Sequence, residues 1–373
     1  MQILEDIFTN NPPLYDIEEF CPKDKALFID IETTGLKKET TSLYLIGCGY
    51  YVGNDFCTKL FFGDEESEEI VILNAFLDFL KGFTHLFHFN GNKFDIPYLQ
   101  YKAGKYNLGD IFEGLTQIDV YGLIKPLRHL LFPQSMRQKV VEDFLSIERE
   151  DMFNGGELIE VYKHYVKSRD EKDLKALITH NKEDVIGMHK IMPILCYLKF
   201  KDTKLIFEGY EVNDYSDYEG CTHKEVIFTY RHNVIIPKSF IAKTDTMYVK
   251  VSAESQKALI RLPLYSGEMK IFFENYRDYS YLPSADKAII KTLAMALPKG
   301  SYVKATKETC YQKTAGTFIK QPEKIFSPAF KSAYKDKASY FRFPEDFTAD
   351  CRDRFGTELI NVFFHMKKNV FNL

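Results

Sequence analysis

Asp30 and Glu32 in FIDIETTGL, Asp95 in HFNGNKFDIPYL and Asp184 in THNKEDVIGM are carboxylates set inside or beside apolar stretches. Burying an ionised carboxylate without a partner costs several kcal/mol or raises its pKa until it neutralises. Four such groups brought to one place repel unless divalent cations neutralise them, and hard cations such as Mg²⁺ take oxygen ligands. A paired-metal site for phosphoryl chemistry is the first expectation. His180 stands four residues before Asp184. On a helix the two share one face, which an ordinary cap or ion pair would also explain.

These residues need elements to carry them. KALFIDIE, SLYLIGCGYYV and FCTKLFFG read as three consecutive strands, the last two joined by a turn at Gly53-Asn54. Ile70, Leu73, Phe76, Leu77 and Leu80 recur at helical spacing in a stretch ending at Gly82. THLFHFN is a fourth strand, NKFDIPYLQYKAGKY a helix after a turn at Gly91, and QIDVYGLI a fifth strand. From there to about residue 199 the periods are helical, in LRHLLF, VVEDFLSIE, ELIEVYKHYVK and DLKALITHNKEDVIGMHKIMPIL. The order matches an α/β, RNase H-like layout, a mixed five-stranded sheet flanked by helices. Asp30 and Glu32, two apart on a strand, project from one face. Asp95 opens a helix after strand four, and Asp184 lies on a long helix able to cross the same sheet edge.

As a set, the three motifs resemble the DEDD exonuclease superfamily, whose RNase H-like fold holds two Mg²⁺ or Mn²⁺ ions with an Asp-x-Glu pair and two further aspartates. More closely, residues from about 24 to 199 resemble the YprB-type RNase H-like domain of bacteria, also in QIDVYGLIKPL, LSIEREDMFNGGELIEVYKHY and HNKEDV. The resemblance implies metal-ligand roles for Asp30, Glu32, Asp95 and Asp184, and a general-base role for His180. The four-residue spacing from His180 to Asp184 is that of the superfamily's Tyr-type members, whereas its best-known His-type members use five. Imidazole, with an ordinary pKa near ~6.5, takes a proton readily at neutral pH. Thr33, Thr34, Gly35 and Leu36 fall where the superfamily sets backbone and a wedge against a terminal nucleotide, with Asn90 and Phe94 flanking the second motif similarly. Each of these is otherwise turn or core filler. Asp119 has no metal role in this pattern. His85 and His88 alternate on a strand, but no Cys or third His at ligand spacing makes them a zinc site.

At 373 residues the chain has room for two domains, expected as 1–200 and 201–373, with KDTKLIFEGYEVNDYSDYEGC as the linker. Residues 1–200 hold 22 basic against 32 acidic side chains, and residues 201–373 hold 27 against 21. An acidic first half fits a carboxylate-rich metal site and a basic second half fits a polyanion, although surface charge can simply differ between domains. Seven scattered cysteines without a C-x-x-C argue for reduced thiols in the cytoplasm. Nothing resembles a membrane span or a signal peptide.

Beyond the linker, EVIFTYRHNVIIP, MYVKVSA, KALIRLPLY and EMKIFFENY read as strands of a β-rich α+β accessory domain, with SADKAIIKTLAMALP as a helix. Tyr276, Tyr279 and Tyr281, followed by Lys299, Lys304, Lys307, Lys313 and Lys320, suit base stacking beside a phosphate track. A Tyr-rich β core with a solvated Lys face is the preferred reading of that pattern. The expectation is a metal-dependent 3′–5′ exonuclease acting on nucleic acid, with a single-stranded end as its substrate and the accessory domain holding or selecting that nucleic acid. A non-catalytic RNase H-like module that binds nucleic acid or a partner is the alternative, and an RNase H-type endonuclease or a hydrolase of other phosphodiesters stays open.

Overall fold

The computed structural model describes residues 1–8, 15–151, 153, 155–216 and 220–366, and the chain divides into two compact units. The first comprises Met1–Arg128 and Phe132–Leu198, the second His129–Leu131 and Lys199–Leu373. Met152 and Asn154 of the LSIEREDMFNGGELIEVYKHY stretch, and residues 217–219 of the expected linker, lie outside the described residues.

The first unit is built on a mixed sheet of β1 (Gln2–Phe8), β2 (Ala26–Thr33), β3 (Leu43–Val52), β4 (Asp55–Phe62), β5 (His85–His88) and β6 (Thr116–Asp119). The spatial order is β1-β4-β3-β2-β5-β6, with β5 and β6 parallel to β2 and the rest antiparallel. The sheet thus has six strands where five were expected. β1 is an edge strand that pairs with β4, more than fifty residues on, and its own residues are mostly exposed.

Helices α1 (Glu69–Leu80), α2 (Asp95–Lys105), α3 (Val120–Ile124), α4 (Arg128–Leu131), α5 (Gln138–Phe144), α6 (Gly155–Ser168) and α7 (Glu171–Lys190) follow the strands. Alternation along β2 sorts its side chains. Leu27, Ile29 and Ile31 join the core under α1 and α2, with Ile72, Phe76, Tyr98 and Leu99. The even-numbered Phe28, Asp30 and Glu32 take the other face, where Tyr44, Leu45 and Phe62 pack with Tyr162 and Leu177 of α6 and α7. Asp119 ends β6 early and caps α3 by accepting from the Gly122 N–H, so QIDVYGLI is strand only as far as Asp119.

The division between the units falls in the short helix α8 (Leu198–Lys201), not in a linker over 201–221. Those residues instead form β7 (Ile206–Ser216), which pairs with β8 (Thr222–Arg231). The second unit is β-rich. β9 (Phe240–Thr244), β10 (Met247–Val251) and the 16-residue β11 (Lys257–Phe272) continue the sheet. KALIRLPLY and EMKIFFENY are therefore one strand. A small sheet holds β12 (Tyr279–Leu282), β13 (Lys287–Ile290) and β14 (Val303–Lys304). β13 and the single turn α9 (Lys291–Ala294) replace the helix expected over SADKAIIKTLAMALP, because β12 recruits Lys287–Ile290 as its partner. β15 (Tyr311–Gln321) and β16 (Ser339–Arg342) complete the larger sheet, and α10 (Ala349–His365) packs on it with Gly356 against the Tyr230 ring. Among the described residues no helix is long and apolar enough to cross a membrane.

Candidate active site

The site gathers where α7 crosses β2 and β3. Close approach needs glycine there: a Cβ on Gly47 would lie 2.0 Å from Asn181 Oδ1, and one on Gly49 would lie 2.6 Å from Val185. Gly47 is the cross-strand neighbour of Asp30. The contact lets Asn181 Nδ2 donate to Asp30 Oδ2 at 2.8 Å and to the Asp30 carbonyl at 3.3 Å. One residue earlier, His180 turns Nε2 to within 3.5 Å of Glu32 Oε1 and 3.2 Å of Asp184 Oδ2. The i, i+4 spacing on α7 thus brings base and carboxylate together beside the strand pair. Asp95 stands at the first position of α2, buried, where its carboxylate accepts from its own N–H and that of Ile31.

Crowding shows in the acid strengths. Loss of hydration raises Asp30 and Glu32 well above the ordinary carboxyl range, and the charges of Asp184 and Asp95 push them further. Asp95 is pushed up to about 6, chiefly by burial, against the pull of the two backbone N–H groups. The four carboxylates therefore lie within electrostatic reach of one another. Ligand atoms of Glu32, His180 and Asp184 all fall within 4.8 Å of each other, the spacing a single cation can bridge. The carboxylate oxygens of this set suit Mg²⁺ or Mn²⁺, with the imidazole standing beside them.

Behind His180 stands a layer that sequence reasoning did not single out. Asp151 Oδ2 lies 2.8 Å from His180 Nδ1 and orients the ring so that Nε2 faces Glu32 and Asp184. Burial opposes ionisation of Asp151, but the Phe153 N–H, Lys139 and His180 outweigh it and hold this carboxyl below its usual range. Arg149 Nη2 donates to Asp184 Oδ1 at 2.6 Å while its Nη1 reaches Glu142 at 3.0 Å. Gln138 Nε2 ties the Asp184 carbonyl to Glu142 at 2.8 Å each. In the sequence Arg149 and Asp151 sit in a charged run, REDMF, that reads as a solvated loop. Its only signal was the place of that run within the family-like stretch.

Thr33, Leu36 and Phe94 line one cleft of about 700 Å³ together with Glu32, His180 and Asp184. Leu36 is 82% exposed at its mouth. The loop carrying it is braced from below: Thr41 Oγ1 donates to the Gly35 and Lys37 carbonyls, and the Thr41 carbonyl accepts from Lys102. Lys102 is in turn paired with Glu69 at 2.8 Å, both side chains buried. Asn90, at φ 62°, lines a separate hollow with Tyr121 and Arg128 rather than the cleft. Its N–H donates to Asp119 Oδ1 at 2.8 Å, so Asp119 fastens the turn that leads into Asp95. Asp30 and Asp95 do not line the cleft. His88 is fully buried beside Asp119, and among the described residues neither it nor His85 joins a cluster of three metal ligands.

Residues 27–196 match the model of a family described as belonging to the RNase H superfamily. No curated protein matches the chain. Solved structures with similarity include the family B DNA polymerase of the hyperthermophilic archaeon Pyrobaculum calidifontis, at 15% identity and TM-score 0.37, covering 69% of this chain and 35% of that one. A moderately thermophilic Exonuclease I from Methylocaldum szegediense is 11% identical at TM-score 0.28, covering 55% of this chain and 54% of that one. E. coli Exonuclease I in complex with a dA16 oligonucleotide is 13% identical at TM-score 0.27, covering 93% and 75%. The chain thus spans about a third of the length of the first structure and about half that of the second.

Proposed function

We propose that the first unit is a metal-dependent 3′–5′ exonuclease of the DEDD type, close to the YprB-like domains. The observation that carries this is the cluster of Glu32, Asp184 and His180, whose ligand atoms lie within 4.8 Å of one another, with Asp30 and Asp95 close enough for their charges to act on it. In this reading the four carboxylates hold two divalent ions, Mg²⁺ or Mn²⁺. When bound, such ions supply positive charge for both the attacking and the departing oxygen of a phosphodiester. The chain's own residues do the rest. Leu36, Thr33 and Phe94 seat the terminal nucleotide, and His180 Nε2 takes the proton of the attacking water. The water oxygen bonds to phosphorus, and the bond to the 3′ oxygen of the preceding nucleotide breaks with its electron pair staying on that oxygen, which takes a proton from solvent. A nucleoside 5′-monophosphate leaves as His180 returns its proton to solvent. Asp151 keeps Nδ1 protonated and the ring in place, and Arg149 occupies Asp184 Oδ1 so that Oδ2 faces the histidine.

A second reading, a non-catalytic nucleic-acid-binding module, is favoured by Arg149 itself, because its guanidinium already brings positive charge to Asp184. Cleavage assays separate the two. Oligonucleotides labelled at the 5′ end, single- and double-stranded, DNA and RNA, are incubated with Mg²⁺ or Mn²⁺. A ladder shortening from the 3′ end, lost in EDTA and in Asp184→Ala, supports the exonuclease and names its substrate. Binding without cleavage of any substrate selects the module.

A further inference from the structure

In the second unit, three lysines stand side by side across the sheet. Lys270 of β11 is the cross-strand partner of Lys313 on β15 and, on its other side, of Lys331. Like charges directly opposite one another destabilise a sheet. Lys313 is relieved by Asp286 at 2.5 Å and Glu268 at 3.5 Å, and Lys270 lies 4.3 Å over the ring of Tyr311. Lys331 forms no ion pair among the described residues, and the charge of Asp336, a carboxylate held by Ser332 and the Ala333 N–H, acts on it only at longer range. With Lys320, Lys324 and Lys337, Lys331 lines a groove of about 980 Å³, and among the described residues none of these four is ion-paired. Elsewhere on the unit some lysines are paired, as in Lys257–Glu208, Lys224–Asp214 and Lys335–Glu308, so what sets the groove apart is that four lysines without an ion pair line one concave surface. Of the two carboxylates lining the groove, Glu274 and Glu323, the second is already engaged by Arg354 at 3.3 Å.

The same groove carries aromatic rings. Phe272 lines it and meets Tyr334 edge-on at 5.5 Å, and Tyr334 is 38% exposed. The tyrosines singled out in the sequence are not these. Tyr279 stacks on Phe273, and Tyr281 with Tyr311 is bound to Asp286, inside the packing of the small sheet.

We infer that this groove binds single-stranded nucleic acid, with Lys320, Lys324, Lys331 and Lys337 along the phosphates and Tyr334 and Phe272 against the bases. Unpaired lysines attract any polyanion, but the exposed ring of Tyr334, backed by the half-buried Phe272, selects one with free aromatic faces, which a duplex hides. The inference shares the nucleic-acid substrate of the exonuclease reading and none of its residues, so the two fail separately.

The test is fluorescence anisotropy on the full chain carrying Asp184→Ala, in EDTA, with a 5′-labelled oligothymidylate of roughly 20 nucleotides. Replacing the four lysines by alanine weakens binding by about tenfold or more near ~100 mM salt. It also lowers the slope of log K against log salt by roughly 0.7 for each phosphate no longer neutralised. Arginine at all four positions restores both. Tyr334→Ala weakens binding with the slope unchanged, because stacking releases no counterions. Three outcomes overturn the inference: affinity and slope unmoved in the alanine variant, equal binding of a duplex, or equal binding of a poly-glutamate peptide. Should the fourfold variant melt early, Lys331→Gln and Lys337→Gln singly must each still lower the slope, or the groove is not the site.

Discussion

The two units carry opposite charges left unmatched, and each also carries charges that are fully matched. In the first unit Asp30, Glu32 and Asp95 crowd Asp184, the one of the four with an arginine partner, whereas Glu69 is enclosed by Lys102, Lys105, Tyr106 and the Leu43 N–H. In the second, Lys320, Lys324, Lys331 and Lys337 line a groove and form no ion pair among the described residues, whereas Asp286 is bound by Lys313, Tyr281 and Tyr311. Matched charge holds an element in place. Unmatched charge, maintained against its own repulsion, costs stability until a counter-charge joins it.

The contrast can be broken most severely at Asp184. Asp184→Ala should lower kcat by about 10⁴-fold, equivalent to ~5 kcal/mol at 1.36 kcal/mol per decade. It should also abolish the rise in melting temperature that Mn²⁺ gives the parent, measured against each protein's own metal-free value because the Arg149 ion pair is lost as well. An equal Mn²⁺ response in the variant would remove Asp184 from the metal site.

Lys102→Met tests the matched side. It leaves Glu69 buried without its closest cation and should cost roughly 3–5 kcal/mol in denaturant unfolding. Burial works against Glu69, but Lys102 and its other partners hold its folded pKa below the ordinary value. A depressed carboxyl contributes stability that is present above its unfolded pKa, near ~4.3, and is lost as pH falls through the folded value. Urea titrations of the parent should therefore show this contribution disappearing below about pH 4.3, and Glu69→Gln should flatten that part of the profile.

Asp151→Ala should reduce kcat by roughly 10–100-fold with KM little changed, as expected for a residue that acts by orienting His180. Asp151→Asn, whose amide oxygen can still accept from Nδ1–H, should recover part of the loss. A change confined to KM would point to a structural role instead. The smallest effect belongs to Leu36→Ala, which removes the exposed wedge and should raise KM by about three- to tenfold, on the order of ~1 kcal/mol.

Much of the first unit was legible because its signals are local. Strand alternation puts Asp30 and Glu32 on one face, helical spacing aligns His180 with Asp184, and the turn at Gly91 sets Asp95 at a helix start. β1 and β7 were not legible. β7 is exposed along nearly its whole length, so it carries no buried alternation and exists as a strand through its pairing with β8. The apolar run after Ser284 has helical spacing, yet β12 turns its middle into strand. Asn90 was expected at the cleft, but its positive-φ turn directs it to Asp119.

By itself, then, the sequence determined that acidic residues stand on adjoining strand and helix faces, because face and period follow from neighbours two to four residues apart. The tertiary structure alone decided that Asp151 backs His180, that Arg149 grips Asp184, and that Lys331 and its neighbours share a groove with Tyr334. Hydrogen bonds and ion pairs between distant segments leave no local period to read. They form only when packing, here the close approach of α7 at Gly47 and the cross-strand register at Lys270, brings those segments together.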